Sequence, residues 1–510
     1  LLDALHSDTK EWVIKDNLFI NEGEELNAYK LADNERYLRT LNFIQDARIL
    51  VRPVRGTDSV DIEVVTKDLF TITGGLDIGG ITRFKATAAE ANFLGMGQRL
   101  QFTTLVDRDR NPPFGYEALY TKNSVFGSLI DASVGYTTIG PNLFDGKEEE
   151  TSYFLSLDRP LVSPFTRYAG GLYLAHKETQ KAYTINRPDS FFYGYTNNTF
   201  DVWAGVNIAD SRLLNSKKVR DRRFFAMRYA QTLYDRTPEQ VGTNFDPIFN
   251  DVKLVLGQLT LFRQNFFKTN YVYGFGITED VPYGYNVSLI GGWHRQLTRE
   301  RPYFGIKANS FVVTSQGGFY KYFIHAGSFF HSQQLEDASL LAGVNWYSKL
   351  CEWKGYRVRQ FLGLTYSGLY NSLTTDLLRI NNPFGLRNFS YPYLLGTQRI
   401  NAQTETAVYL DYKFLGFKFA PFIAGDAVLL KPQGVSFGKS DIYTGIGAGV
   451  RTRNENLVFG TMELRAVYFP RYVEGHNSFK ILFSSNLRYR YNNSHVNKPD
   501  LVRLNIDETQ

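Results

Sequence analysis

Residues 402–413 alternate without a break. Ala402, Thr404, Thr406, Val408, Leu410 and Tyr412 fall on one side, and Gln403, Glu405, Ala407, Tyr409, Asp411 and Lys413 on the other. Successive side chains of an extended chain point to opposite faces, so this period of two makes a strand with one apolar and one polar face. The pattern recurs through residues 71–491. Near its end Phe479, Ile481, Phe483, Leu487, Tyr489 and Tyr491 alternate with Lys480, Ser484, Asn486, Arg488 and Arg490. A soluble barrel or sandwich also alternates, but turns its large apolar groups inward. Here arginines and lysines return on the polar face in strand after strand. Charges lining a wide, wet lumen explain that more simply than charges buried in a packed centre, and the apolar face is then left for lipid.

Composition agrees. Aromatic residues make up 15% of the 510 residues, with 33 Tyr, 40 Phe and 43 Gly. A membrane barrel needs aromatic girdles at both interfaces and tolerates modest hydropathy, because only half of each strand is apolar. The competing class is a large soluble all-β protein. No stretch approaches the roughly 18–20 consecutive apolar residues of a spanning helix, but a spanning strand needs only about 9–11. No signal peptide is visible, and residue 1 reads as mature sequence, as after cleavage of a leader.

Other functional classes find little support. The lone Cys351 forms no internal disulfide and belongs to no metal motif, and the seven histidines are not at metal-ligand spacing. A net charge of +6 over this length gives little reason to expect nucleic-acid binding. The glycines of 445–449 lie inside a strand pattern, without the strand-to-helix turn that cradles phosphate, and no nucleophile elbow surrounds any serine. We therefore expect no catalytic residue, no cofactor and no metal.

Residues 1–69 read differently. Residues 12–20 look extended. Asp33 can cap a helix whose Tyr37, Leu38, Leu41 and Ile44 share a face. Two short strands follow at 47–54 and 59–66, joined by Arg55-Gly56-Thr57-Asp58. The expected organisation is a small α+β domain at 1–69, a transmembrane antiparallel β-barrel at 70–491 and a tail at 492–510. Strand-like segments number about twenty-one. Single-chain bacterial barrels have even counts, so one segment is miscounted and the expectation is 16 to 20 strands, with eighteen to twenty favoured over sixteen. Residues 177–197 and 235–250 are long enough to be surface loops. The tail either docks a partner or ends freely.

Several stretches together resemble the BamA/TamA superfamily of outer-membrane barrels. Pro383-Phe384-Gly385-Leu386-Arg387-Asn388-Phe389 is followed by the alternating strand and by Phe422-Ile423-Ala424-Gly425-Asp426. Asn92-Phe93-Leu94-Gly95-Met96-Gly97 is similar to the family's early-strand turn, and Asp158-Arg159-Pro160-Leu161 before Tyr168-Ala169-Gly170-Gly171-Leu172 also fits. The strand, helices and hairpin of 1–69 resemble one POTRA domain. The resemblance spans residues 12–491.

The resemblance implies that a long loop folds back into the lumen. The arginine at its tip, Arg387, with Asn388 and Phe389, would pair with Asp426, and Glu405 is a second candidate partner. Asn388 stands where the family has glycine, and Val428 where a glycine usually follows the aspartate motif. Asn enters the left-handed backbone region more easily than most residues, so the turn can survive. The resemblance also implies a lateral seam between first and last strands, here Gly74, Gly75, Gly79 and Gly80 against Phe479, Tyr489 and Tyr491. Those glycines weaken the first strand, or else make room for curvature.

For a mainly β chain of this kind the resemblance implies a factor that inserts barrel proteins or exports proteins to the surface of a Gram-negative bacterium. Its location would be the outer membrane, with the N-terminal domain periplasmic. Its partners would be outer-membrane lipids, unfolded or partly folded clients and accessory periplasmic or lipoprotein subunits, with no nucleic acid. The alternatives are a passive or substrate-specific channel and a barrel subunit of a secretion machine.

Overall fold

The computed structural model describes residues 7–78, 82–144, 146–183, 192–208, 221–241, 246, 248–272, 274–276, 279–296, 298–381, 383–389, 391, 394–454, 461–474, 477–487 and 496–505. Twenty antiparallel staves close into one barrel, from Ile72–Ile78 to Phe479–Leu487. Each stave pairs with its neighbours in sequence, as hairpin-connected antiparallel strands do. Two short strands lengthen existing staves instead of adding new ones: Cys351–Trp353 continues Gln334–Tyr347, and Lys413–Phe414 continues Gln398–Tyr409. Of the two loops expected at 177–197 and 235–250, the ends belong to staves, which run to Thr179, from Thr196 and to Arg236; residues 184–191, 242–245 and 247 lie outside the described residues.

The alternation has the predicted sense. On Arg222–Arg236, Phe224, Ala226 and Arg228 are buried while Phe225, Met227 and Tyr229 are exposed. On Thr461–Tyr468, Glu463 and Arg465 turn inward and Leu464 and Tyr468 outward. Leu259, Leu261, Leu289, Phe304, Ile324, Ile423 and Ile446 continue an apolar outer surface around the barrel.

The interior differs from the open, polar bore that the charge pattern suggested. Arg228, Arg301, Arg359, Arg399, Arg451 and Arg465 do face inward, each with partners. Between them the wall also turns Phe323, Leu341, Leu369, Val428, Leu430 and Tyr443 inward, and these pack with residues of an in-folded loop and of the segment after the last stave. An inward apolar residue is satisfied when chain fills the space in front of it.

Residues 7–69 form a small domain at one rim, here the near rim. It contains α1 (Glu11–Lys15), α2 (Ala28–Thr40), β1 (Ile44–Pro53) and β2 (Val60–Asp68), the last two paired as a hairpin. Two expectations are corrected. Residues 12–20 begin in α1, where Lys15 pairs with Glu11 at 2.8 Å and Val13 is buried. No strand precedes the helices among the described residues, so the sheet has two strands and an arrangement of the POTRA kind is not evident. And α2 starts five residues before Asp33, capped by Asn27 Oδ1, which accepts from the backbone N–H groups of Tyr29 (3.0 Å) and Lys30 (3.2 Å). Asp33 lies inside the helix and accepts from Ser163 Oγ at 2.7 Å.

The domain's core is shared with the barrel. Val13, Tyr37, Leu38, Phe43 and Ile44 pack with Leu129 and Val162 from two near-rim turns. A third turn, 91–97, approaches so closely that a side chain would not fit. A Cβ on Gly95 would come within 2.1 Å of the Asp8 carbonyl oxygen, and one on Gly97 within 2.8 Å of Val13. Both glycines have positive φ, and Lys10 N–H donates to Gly95 O at 3.0 Å.

Opposite the seam, the hairpin of Val252–Thr269 and Glu279–Gln296 reaches further than its neighbours, paired over eighteen residues. Its turn bends inward across the near mouth. Tyr271 and Phe275 pack against Tyr409, Ala420 and Phe422, and Tyr409 Oη donates to Val272 O at 3.1 Å. Helix α2 rests on the same hairpin: the Arg36 guanidinium lies 4.0 Å over the Phe266 ring, and Arg39 pairs with Asp280 at 2.9 Å.

Candidate functional site

Residues 371–397 connect Tyr356–Tyr370 to Gln398–Tyr409 at the far rim and fold into the barrel. The entry is pinned by Asp337, whose Oδ1 accepts from the backbone N–H groups of Leu373 (2.7 Å), Thr374 (2.9 Å) and Thr375 (3.2 Å). Fully buried Arg301 donates to the other Asp337 oxygen at 2.7 Å and to Glu336 at 3.0 Å. Further in, Leu378, Ile380, Phe384, Leu386 and Phe389 bury against the wall. Asn401 and Gln403, on the inward face of the next strand, donate to Gly385 O at 3.2 and 3.3 Å.

The tip carries the predicted arginine. Arg387 Nε donates to Asp426 Oδ1 and Oδ2 at 2.8 and 3.0 Å, Nη1 to Glu405 at 3.4 Å, and Nη2 to Thr404 O at 3.1 Å. A planar guanidinium meeting a carboxylate side-on takes two hydrogen bonds and fixes direction as well as distance. Asn388 has φ +61°, in the region that glycine would occupy freely, and Lys480 of the last stave donates to its carbonyl at 3.4 Å. Phe389 is buried, edge-on to Phe469 with centroids 5.1 Å apart.

Behind Glu405 the pairing continues through residues that the motif did not single out. Arg451 donates to Glu405 at 2.6 Å and to Glu463 at 2.7 Å, and Arg465 donates to Glu463 at 2.7 Å. Both guanidiniums lie over the Phe422 ring, at 4.3 and 4.7 Å. Three arginines face Asp426, Glu405 and Glu463, so the cluster is neutral and its members satisfy one another, as buried charges must. The available signal was alternation: Arg451, Glu463 and Arg465 all fall on the inward face of their strands.

The seam is short. Phe479–Leu487 pairs with Ile72–Ile78 at two positions among the described residues, Phe483 with Ile78 and Ser484 with Asp77. Gly74 and Gly75 pair with Ala88 and Thr87 of the second stave and do not appear in the register with the last one. Phe479 pairs with Tyr468, on the other side of its strand, and points outward. Gly79, Gly80, Tyr489 and Tyr491 lie outside the described residues. Among the described residues, positions 72–76 of the first stave have no register partner on the last one, which is described as far as Leu487.

No protein-family model matches the chain, and no curated protein matches it. In structure it is similar to BamA from Haemophilus ducreyi lacking POTRA domains 1–3, at 10% identity over 94% of this chain and 82% of that one, with a TM-score of 0.38. It is also similar to CdiB from Acinetobacter baumannii, at 11% identity over 94% and 72% with a TM-score of 0.49. For CdiB from Escherichia coli the figures are 12%, 93%, 73% and 0.44. At these identities and scores none of the three decides what the chain does.

Proposed function

We propose that the protein spans an outer membrane and assembles or exports other polypeptides there, as a factor of the BamA/TamA kind. The observation that carries this reading is the seam. Among the described residues, nineteen junctions of the closed barrel are each held by six or more register pairs, whereas the twentieth is held by two. An unpaired strand edge is a template for another strand, and natural proteins cover such edges unless they use them. The apolar outer surface suits the hydrocarbon of a bilayer, where a closed barrel satisfies every other backbone group.

In this reading the Arg387 cluster braces the strands beside the seam. Arg387 holds Asp426 and Glu405, while Lys480 of the last stave holds the carbonyl of Asn388, so the loop tip links four neighbouring inward faces to the edge strand. The small domain at the near rim takes the place of a periplasmic receiver for unfolded or partly folded clients, with accessory periplasmic or lipoprotein subunits as further partners. A passive channel is disfavoured, because loop, tail and inward hairpin occupy the bore. The test is folding of an unfolded barrel client into liposomes that contain the purified protein. Acceleration over empty liposomes, reduced by Arg387→Ala, is the expected result. No acceleration by the wild type would refute the proposal.

A further inference from the structure

Beyond the last stave, residues 496–505 do not hang free; they climb the inside wall from the near half of the barrel to the in-folded loop. Val496 packs with Leu161, Phe224 and Phe262. Leu501 packs with Leu254, Leu256, Ile290 and Tyr303, and Val502 and Leu504 join the apolar cluster of the loop. Between these recesses the wall addresses backbone. Gln258 donates to Asn497 O (3.3 Å), Arg228 to Pro499 O (2.9 Å), Ser339 to Val502 O (3.5 Å) and Arg399 to Leu504 O (3.1 Å), while Val502 N–H donates to Tyr303 Oη at 2.8 Å. Two charged side chains add to this: Lys498 pairs with Asp201 and Asp500 with Arg228, both at 2.7 Å.

Donors aimed at main-chain carbonyls, spaced between apolar recesses, recognise extended polypeptide with little regard to sequence, which is how strand-binding sites combine affinity with breadth. Among the described residues no strand pairing holds the segment, so it can leave without dismantling the sheet. We propose that this wall is a binding track for an extended, partly apolar polypeptide, occupied in this structure by the protein's own residues 496–505. The proposal rests on the export reading above and names the path a client takes once the segment has moved aside.

The test is peptide binding to purified protein in detergent micelles, which needs no client folding and so fails or succeeds independently of the liposome assay. A chain ending at residue 495, checked for barrel closure by heat-modifiable migration, is titrated with labelled peptides. One has the sequence of residues 496–505, a second has unrelated residues with the same apolar positions, and a third contains only Gly and Ser. The track predicts that the first two bind within about tenfold of each other, that the third does not bind, and that the full chain, whose own segment competes, binds the first two at least about tenfold more weakly than the shortened chain. A second variant guards against misfolding of the shortened chain. In a Cys351→Ser background, Ser339→Cys with Val502→Cys locks the segment in place on oxidation, and reduction restores peptide exchange. Binding of the first peptide alone would mean a dedicated plug, and either equal binding by the full chain or failure of the cross-link to form would mean that the segment does not occupy the track. Each result overturns the proposal.

Discussion

Arg387 ties the tip of the in-folded loop to the barrel wall by donating from one nitrogen to both carboxylate oxygens of Asp426, at 2.8 and 3.0 Å. Asp426 is nearly buried, so removing the guanidinium strands a carboxylate. Arg387→Ala is expected to destabilise the barrel by roughly 2–4 kcal/mol, with the loop becoming accessible to protease. Adding Asp426→Ala should recover part of the loss, because the stranded charge goes with it. Unfolding in urea from lipid vesicles, with limited proteolysis, measures both.

Asn388 occupies the left-handed region at φ +61°. Asn388→Gly should leave stability within about 0.5 kcal/mol, whereas Asn388→Val should cost about 1–2 kcal/mol through backbone strain alone. The same urea titration distinguishes them, and equal effects would argue against a strained tip.

Gly95 lets the near-rim turn touch the backbone of the small domain, and a Cβ there would meet Asp8 O at 2.1 Å. Gly95→Val should release residues 7–69 to protease while leaving the barrel's heat-modifiable band intact. Gly56 is the control: its φ is +80° but nothing lies within 4 Å, so Gly56→Ala should keep the domain docked.

Ile423 points outward from the strand Phe417–Lys431 and is 64% exposed. On a soluble protein Ile423→Arg would be harmless. Facing lipid it should cost about 2–4 kcal/mol in vesicle folding titrations, the usual range for a cation near the bilayer midplane. No measurable cost would place the surface in water.

Much of this was legible from residue order alone. Strict alternation identified the inward face of Gln398–Tyr409, and the motif around Arg387 led to Asp426 and Glu405, which the fold brings within hydrogen-bonding reach. What stayed hidden had no periodic signal. A five-residue helix such as Glu11–Lys15 is barely longer than one turn, so its pattern cannot be told from an extended segment. Inward apolar residues such as Phe323 and Phe422 look like outward ones until a loop or turn is known to cover them. The path of residues 496–505 follows from the wall they meet, not from their own pattern.

The most direct measurement concerns the seam. Ile78 and Phe483 are register partners there, so Ile78→Cys with Phe483→Cys in a Cys351→Ser background can staple the first stave to the last. In the liposome assay the oxidised protein should lose client assembly while remaining folded, and reductant should restore it. Full activity with the staple closed would contradict the account.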